Sequence, residues 1–163
     1  MDTKIQISNL VIYKSGSGMH RVDLDVPQTA ELLAWDTKRF LASIGDRLEF
    51  HCGLMVKKDG SSFINLGSSI LKKLKLKEGD NITLSFQPDH SDYQFEMPEE
   101  FAAVLQSDPE ASLCFHELSP GNQRGILYLI NKLKSEDKRI ALSLRIATKI
   151  KSGITKPSLL IKK

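Results

Sequence analysis

The chain has 163 residues, a length that suits one compact domain or two small ones. Hydrophobic residues make up 40% and charged residues 26%, as in globular proteins with a buried core, and the net charge of +3 is too small to indicate a nucleic-acid-binding protein by itself. The two cysteines exclude a secreted disulfide framework and a four-ligand zinc site. No apolar run reaches the roughly 20 residues of a membrane helix and no signal-peptide core follows Met1, so we expect a cytoplasmic protein without a membrane span.

Residues 1–97 have the pattern of a small antiparallel β-protein. Apolar and polar residues alternate along several short runs, which is typical of strands with one buried face. The predicted strands cover residues 4–13, 21–26, 47–56, 61–66 and 81–87, with a short helix at 28–35. In the second of these strands, Val22, Leu24 and Val26 are expected to point inward. We predict that the strands form a small barrel.

Two connections in this part carry strong local signals. Asp59-Gly60 predicts a tight hairpin turn, because such turns need the positive φ angles that glycine adopts easily. Residues 68–80 predict a second short helix, capped by Ser68 or Ser69, before the last strand. Its four lysines, at positions 72, 73, 75 and 77, are interpreted as a solvated helix face, with a nucleic-acid contact as the less favoured alternative.

Residues 98–163 show helical spacing instead, with a proline or a capping residue at each predicted helix start. The predicted starts are Pro98, Asp108-Pro109, Ser119-Pro120 and Ser135. The last helix is expected to cover residues 136–152 and to stop at Gly153. The change of pattern places the boundary near Met97-Pro98, which predicts an α+β protein with a barrel domain at 1–97 and a helical module at 98–163.

Charge divides the chain in the same place. Residues 1–97 have a net charge of −1 and residues 98–163 a net charge of +4. Within the second part, residues 98–118 hold five acids and no Lys or Arg, whereas residues 119–163 hold eleven bases and two acids, a net charge of +9. This basic C-terminal stretch is the strongest electrostatic feature of the chain.

Two parts of the chain resemble known families. The stretch from Phe50 to Asp89 resembles the small barrel domain of unknown function that precedes a helical module in many bacterial proteins. Within it, ILKKLKLKEGDNITL is similar to the helix, Gly-Asp turn and strand of double-split β-barrels, a group that includes the AbrB-type regulators. From MPEEFAAVL through LSPGNQRGILYLINKLKSEDKR, the chain resembles the bacteriocin-protection family, also called YdeI or OmpD-associated.

The second resemblance includes one informative departure. The Ser-Pro-Ser-His-Arg-Arg stretch usual in the family corresponds here to SPGNQR, residues 119–124. The histidine and one arginine of that stretch are therefore absent, and the arginine that remains is Arg124. The resemblance implies a barrel followed by a helical module, and it implies no reaction.

The sequence contains no recognised catalytic motif or phosphate-binding loop. His51 and Cys52 are neighbours on a predicted strand and point to opposite faces, so we interpret them as a surface histidine and a core cysteine. Cys114 and His116 are two positions apart on a predicted helix and do not share a face. We therefore predict a protein that is not an enzyme, with no catalytic residue, no cofactor, no metal site and two reduced cysteines.

The basic last helix contains the candidate binding residues. At 100° per residue, Lys138, Arg145 and Lys149 fall within about 40° of one another, and Arg124 is added as a further candidate for contact with an anion or nucleic acid. Arg139 lies toward the apolar side, where we expect it to snorkel or to pair with an acid. The favoured partners for part of this charge are the acids of residues 99–117, and the alternative is a phosphate group.

Two functions remain open at this stage. We favour a non-enzymatic binding or interaction protein, with a protein partner or a second copy of the chain as the ligand. The alternative is a nucleic-acid-binding regulator that uses an AbrB-like barrel and the basic helix, with weak, non-specific contacts to phosphates. The sequence leaves the partner and the oligomeric state open.

Overall fold

The protein is α+β, as the sequence predicts. A computed structural model describes residues 3–162 and divides the chain into two compact units, the first ending at His90 and the second beginning at Ser91. Within residues 3–162, the first unit contains eight strands and two helices, and the second contains five helices. None of the helices in residues 3–162 is long and apolar enough to cross a membrane.

The strands of the first unit form two four-stranded antiparallel sheets. The strands are β1 (Ile5–Val11), β2 (Tyr13–Lys14), β3 (His20–Leu24), β4 (Arg39–Ile44), β5 (Leu48–Gly53), β6 (Met55–Val56), β7 (Ser62–Leu66) and β8 (Asn81–Pro88), and the helices are α1 (Val26–Leu33) and α2 (Ser68–Leu74). One sheet has the order β1-β8-β4-β5 and the other the order β2-β3-β7-β6. Across residues 3–162, these pairings give two sheets and not one closed barrel.

Two of the predicted strands are bent and contribute to both sheets. β1 leads into β2 through Ile12, and β5 leads into β6 through Leu54. The backbone N–H of Ile12 donates to Asp80 O at 2.9 Å, and that of Leu54 donates to Lys38 O at 2.8 Å, so pairing is maintained up to each bend. Because both bend residues are buried, each edge of one sheet turns around the core and becomes an edge of the other.

The first unit is an internal structural duplication. The order bent strand, hairpin, strand, helix, strand occurs twice, with a spacing of 42 residues. The buried residues follow the same spacing, in the pairs Ile12 and Leu54, Val22 and Ile64, Leu24 and Leu66, and Ala42 and Leu84. Exchanging β1–β4 with β5–β8 reproduces the strand order of both sheets, so the two halves contribute equally to one core.

Two local predictions for this unit are wrong. Val26 does not point inward from a strand; it is 48% exposed and begins α1, because the Asp25 side chain accepts a hydrogen bond from the Gln28 N–H at 2.8 Å and caps the helix. Ser68 and Ser69 lie inside α2, whose N-cap is Gly67 and lacks a side-chain hydrogen bond.

The predicted hairpin turn at Asp59-Gly60 is confirmed. Gly60 has a φ of +88°, and the Lys57 N–H donates to Ser61 O at 2.8 Å across the turn. The turn connects β6 to β7 and closes the second hairpin of the duplication.

The second unit consists of helices around one core. The helices are α3 (Glu99–Ser107), α4 (Pro109–Glu117), α5 (Pro120–Asn131), α6 (Glu136–Lys151) and α7 (Pro157–Leu160). The predicted caps at Asp108, Ser119 and Ser135 are confirmed, since each side chain accepts a hydrogen bond from the N–H three residues later. The fully buried side chains include Phe101, Phe115, Ile126, Ile130 and Ile146.

This unit begins earlier than the predicted boundary at Met97-Pro98. Tyr93, Phe95 and Met97 all pack against the helical core. The segment before Pro98 has neither helical nor strand periodicity, so its sequence pattern did not reveal this contact. The observed division lies between His90 and Ser91.

Candidate functional site: a basic groove in the helical unit

A surface groove of about 320 Å³ lies between α5, α6 and the residue that follows α7. Its floor is apolar and is formed by Leu129 and Leu133 from the α5 side, Leu142 from α6, and Ile161. Leu129 and Leu142 are each 8% exposed, whereas Ile161 is 40% exposed. Leu129 and Leu142 therefore belong to the helical core, whereas Ile161 is the part of the floor that is accessible to solvent.

Three exposed cations also line the groove: Lys132, Lys138 and Arg145. Lys132 is the C-cap of α5, where a positive charge interacts favourably with the negative end of the helix dipole. Lys138 and Arg145 are seven residues apart on α6 and so lie on one face, two turns from each other. No salt bridge of residues 3–162 includes any of the three, and the groove residues include no carboxylate.

Arg139, between these cations in sequence, is held inside the protein. Its Nε donates to Glu100 Oε1 at 2.8 Å, and its Nη1 donates to the carbonyl oxygens of Leu133 and Lys134 at 2.9 and 3.0 Å. The hydrogen bond from Arg139 lowers the pKa of the Glu100 carboxyl below its ordinary value. The prediction that Arg139 pairs with an acid is confirmed.

Lys151, at the end of α6, is also paired. Its Nζ lies 2.7 Å from Asp108 Oδ2, and this contact is the largest cause of the lowered pKa of the Asp108 carboxyl, followed by the hydrogen bond from the Ala111 N–H. Acids of residues 99–117 thus neutralise two of the bases of α6, as predicted. Lys138 and Arg145 are the cations of this helix that stay exposed beside an apolar floor.

The structure brings together only part of the predicted site. Lys138 and Arg145 line the groove, while Lys149, one turn further along the same face, donates from Nζ to the carbonyl oxygen of Lys162. Arg124 is outside the groove, with Nη1 donating to Gln94 Oε1 at 3.2 Å. Sequence analysis missed Lys132, whose signal was its position at the end of a predicted helix that carries an apolar stripe.

Sequence analysis also missed a histidine–carboxylate pair in the first unit. His51 lies on the outer side of its strand as predicted, and its Nδ1 is 2.6 Å from Asp89 Oδ2. The side chain of Asp89 is fully buried and that of His51 is 24% exposed. Such a pair can orient an imidazole for catalysis when the other ring nitrogen contacts a nucleophile. Within residues 3–162, the hydrogen bond of the His51 side chain goes to the Asp89 carboxylate and not to a hydroxyl or thiol.

The cysteines and the potential metal ligands were the other candidates for a reactive site. Cys52 is buried, and burial raises the pKa of its thiol to about 12, which makes it a weak nucleophile. Both cysteines are free. Residues 3–162 contain no group of three or more His, Cys, Asp or Glu side chains that could hold a metal ion.

Comparison with known proteins found a family match within the helical unit. Residues 94–153 match the model of the family described as Bacteriocin-protection, YdeI or OmpD-Associated, so the resemblance stated for this part of the chain is confirmed. The match covers α3 to α6 and ends before α7 and before Ile161, the groove residue that follows α7. No curated protein and no solved structure matched the chain.

Proposed function

We propose that this protein is a non-enzymatic binding protein that holds a macromolecular partner, most simply another protein, in the basic groove of its helical unit. The observation that supports this function is the position of Lys132, Lys138 and Arg145, which are free of salt bridges within residues 3–162, around an apolar floor. A groove with an apolar floor and one sign of charge around it offers a partner both apolar contact and electrostatic complementarity.

The chemistry of the side chains favours binding over catalysis. His51 is hydrogen-bonded to the Asp89 carboxylate, and the buried Cys52 thiol is protonated at neutral pH. The groove itself contributes cations and aliphatic carbons, which attract a ligand but do not transfer protons at neutral pH.

For the first unit we propose the double-split β-barrel type, in a cytoplasmic protein. Two halves that repeat after 42 residues and share both sheets support this assignment, because such a fold unites two equivalent half-barrels in one chain. In this proposal the binding groove belongs to the helical unit, and no binding role is assigned to the barrel.

A nucleic-acid-binding regulator is the second candidate. It is favoured by the common face of Lys138, Arg145 and Lys149 on α6 and by the net charge of +9 in residues 119–163. Contacts of this kind neutralise phosphates without reading bases, so the expected binding is weak and non-specific.

Affinity purification from cells that naturally contain the protein separates the two candidates. The baits are the tagged full-length protein and its Ala141→Glu and Ala141→Gln variants, each with and without nuclease. Ala141 is exposed and lines the groove, and a glutamate there can pair with Lys138 and Arg145, three and four residues away on the helix. Glutamine has nearly the same size without the charge.

We expect the wild type and the Ala141→Gln variant to retain a partner that resists nuclease and that Ala141→Glu loses. Loss of the partner after nuclease treatment would favour the nucleic-acid candidate. Equal retention by all three baits would contradict a role for the groove.

A further inference from the structure

The occupant of the groove can be specified from the spacing of its charges. Lys138 and Arg145 are seven residues apart on one face of α6, a separation of about 10.5 Å at 1.5 Å per residue. Ala141 and Leu142 lie between them on the same side and line the same groove. A ligand that satisfies this face must present two negative charges about 10 Å apart with apolar atoms between them.

The remaining groove residues extend the same pattern. Lys132 brings a third cation from the end of α5, and Leu129, Leu133 and Ile161 supply apolar surface across from α6. The volume of about 320 Å³ is at the lower end of the range for pockets that enclose a small molecule. It suits the insertion of one or two large aliphatic side chains from a partner that continues along the surface.

A helix matches these requirements in one element. Acidic residues at positions i and i+7 of a helix are also about 10.5 Å apart, and residues i+3 and i+4 lie between them on the same face. Packing an amphipathic helix into an apolar groove is an established mode of recognition, in which residues at this spacing serve as anchors.

A phosphate backbone fits the groove less well. It would interact with the three cations, but it would place charged, hydrated groups over the leucine floor. The apolar side chains would then not be transferred to an apolar environment and would contribute no binding free energy. Stacking of bases requires aromatic side chains, and the groove residues are aliphatic and cationic.

We infer that the groove binds an acidic amphipathic helix of a partner protein, with carboxylates seven residues apart and leucine-like side chains between them. This inference rests on the proposed function and adds the chemical class of the partner. The contact is small, so its affinity is that of a transient interaction and depends on salt.

The probe is a fluorescent helical peptide of about 15 residues, with glutamates at i and i+7, leucines at i+3 and i+4, and alanine and glutamine elsewhere. Binding to the full-length protein is measured by fluorescence anisotropy at low and high salt. Two control peptides replace both glutamates by glutamine or both leucines by serine. Circular dichroism of every protein variant verifies that it is folded.

The protein variants test the position of the contact. Lys138→Gln/Arg145→Gln removes two charges from the groove, and Lys72→Gln/Lys73→Gln removes two exposed lysines of α2, in the other unit. We expect the first variant and Ala141→Glu to weaken binding by about tenfold or more, and Ala141→Gln, which adds bulk without charge, to weaken it less than Ala141→Glu does. The α2 variant should change binding by less than about twofold. Both control peptides should bind more weakly than the probe.

Absence of binding by the wild type at low salt would overturn the inference, as would equal binding of the probe and the leucine-to-serine peptide. A larger loss in the α2 variant than in the groove variant would also overturn it, because the contact would lie elsewhere. If the probe fails while a nuclease-resistant partner still depends on position 141, only the chemical class of the partner is wrong. If both fail, the proposed function fails as well.

Discussion

At the scale of residues, intramolecular pairing distinguishes structural from functional cations. Arg139 and Lys151 are bound to Glu100 and Asp108, so their charges stabilise the helical unit. Lys138 lies next to Arg139 in sequence and points into the groove without a carboxylate partner in residues 3–162. A basic helix is therefore not uniformly a binding surface, and the helical angle of each residue decides its role.

Thiol reactivity provides a test at this scale. Because burial raises the pKa of the Cys52 thiol to about 12, only about one molecule in ten thousand carries the thiolate at pH 8. We expect a thiol reagent at pH 8 to label the half-buried Cys114 and to leave Cys52 unlabelled until the protein unfolds. The thiolate fraction of Cys52, and with it any residual labelling, should rise about tenfold per pH unit below its pKa.

The Cys114→Ser variant isolates Cys52. In this variant the native protein should show no rapidly reacting thiol at pH 8, and the protein in denaturant should show one. Rapid labelling of native Cys114→Ser at pH 8 would contradict the buried position of Cys52.

At the scale of elements, features that depend on neighbouring residues, such as helix caps, were predictable from the sequence, whereas features that depend on tertiary packing, such as strand bends, were not. The caps at Asp108, Ser119 and Ser135 were predictable because each depends on residues within one helical turn. The bend at Leu54 was not predictable, because the apolar alternation of residues 48–56 continues through it and Leu54 itself is buried. In β1 the alternation is interrupted before the bend, where the pairing register shifts between Ile7 and Leu10.

The duplication of the first unit was also missed, although the sequence contains a signal for it. The paired positions Val22 and Ile64, and likewise Ala42 and Leu84, share burial but not identity. Identical pairs such as Leu24 and Leu66 are too few for residue identity alone to reveal the repeat. A search for apolar positions that recur after 42 residues would have found it.

Packing of α7 against α5 is testable through one glycine. A Cβ added at Gly125 would lie 2.7 Å from Pro157 Cγ, and the proline ring cannot rotate away. We expect Gly125→Ala to lower the free energy of unfolding by about 1–2 kcal/mol, since overpacking outweighs the gain in helix propensity. Urea unfolding followed by the helical circular-dichroism signal measures the change.

Gly121→Ala is the matched control in the same helix, because an added Cβ there has no atom within 4 Å. This variant should have wild-type or slightly higher stability. Equal effects of the two substitutions would mean that Pro157 does not pack closely against α5.

At the scale of the whole molecule, the groove depends on parts of the chain that are distant in sequence. The α6 side of the site, with Lys138 and Arg145, followed from helical periodicity. The other sides require α5 to pack beside α6 and the C-terminal segment to return to both, as Ile161 does. Because these contacts are tertiary, no local sequence pattern predicts them.

The nucleic-acid alternative has a quantitative test at this scale. Each phosphate contact to duplex DNA contributes about 0.9 to the slope of log affinity against log salt. If α6 carries such binding, Lys138→Ala/Arg145→Ala/Lys149→Ala should reduce the slope by about three, as measured by titration of duplex DNA at several salt concentrations. Sequence-selective binding that survives this triple substitution would show that another surface contacts DNA.

The control for this titration removes the same number of charges from the first unit. Lys72, Lys73 and Lys77 are exposed and form no salt bridge within residues 3–162, so their replacement by alanine should leave the slope unchanged. A change in slope for the control alone would place the DNA contact on α2 and the turn that follows it.

The central claim, that a partner occupies the groove, is tested most directly by photo-crosslinking in cells. A photoreactive amino acid is placed at Ala141 in the groove or at Lys73 on α2, both exposed positions. The account predicts a discrete, nuclease-resistant protein adduct from position 141 and none from position 73. The same adduct from both positions, or no adduct from position 141, would contradict it.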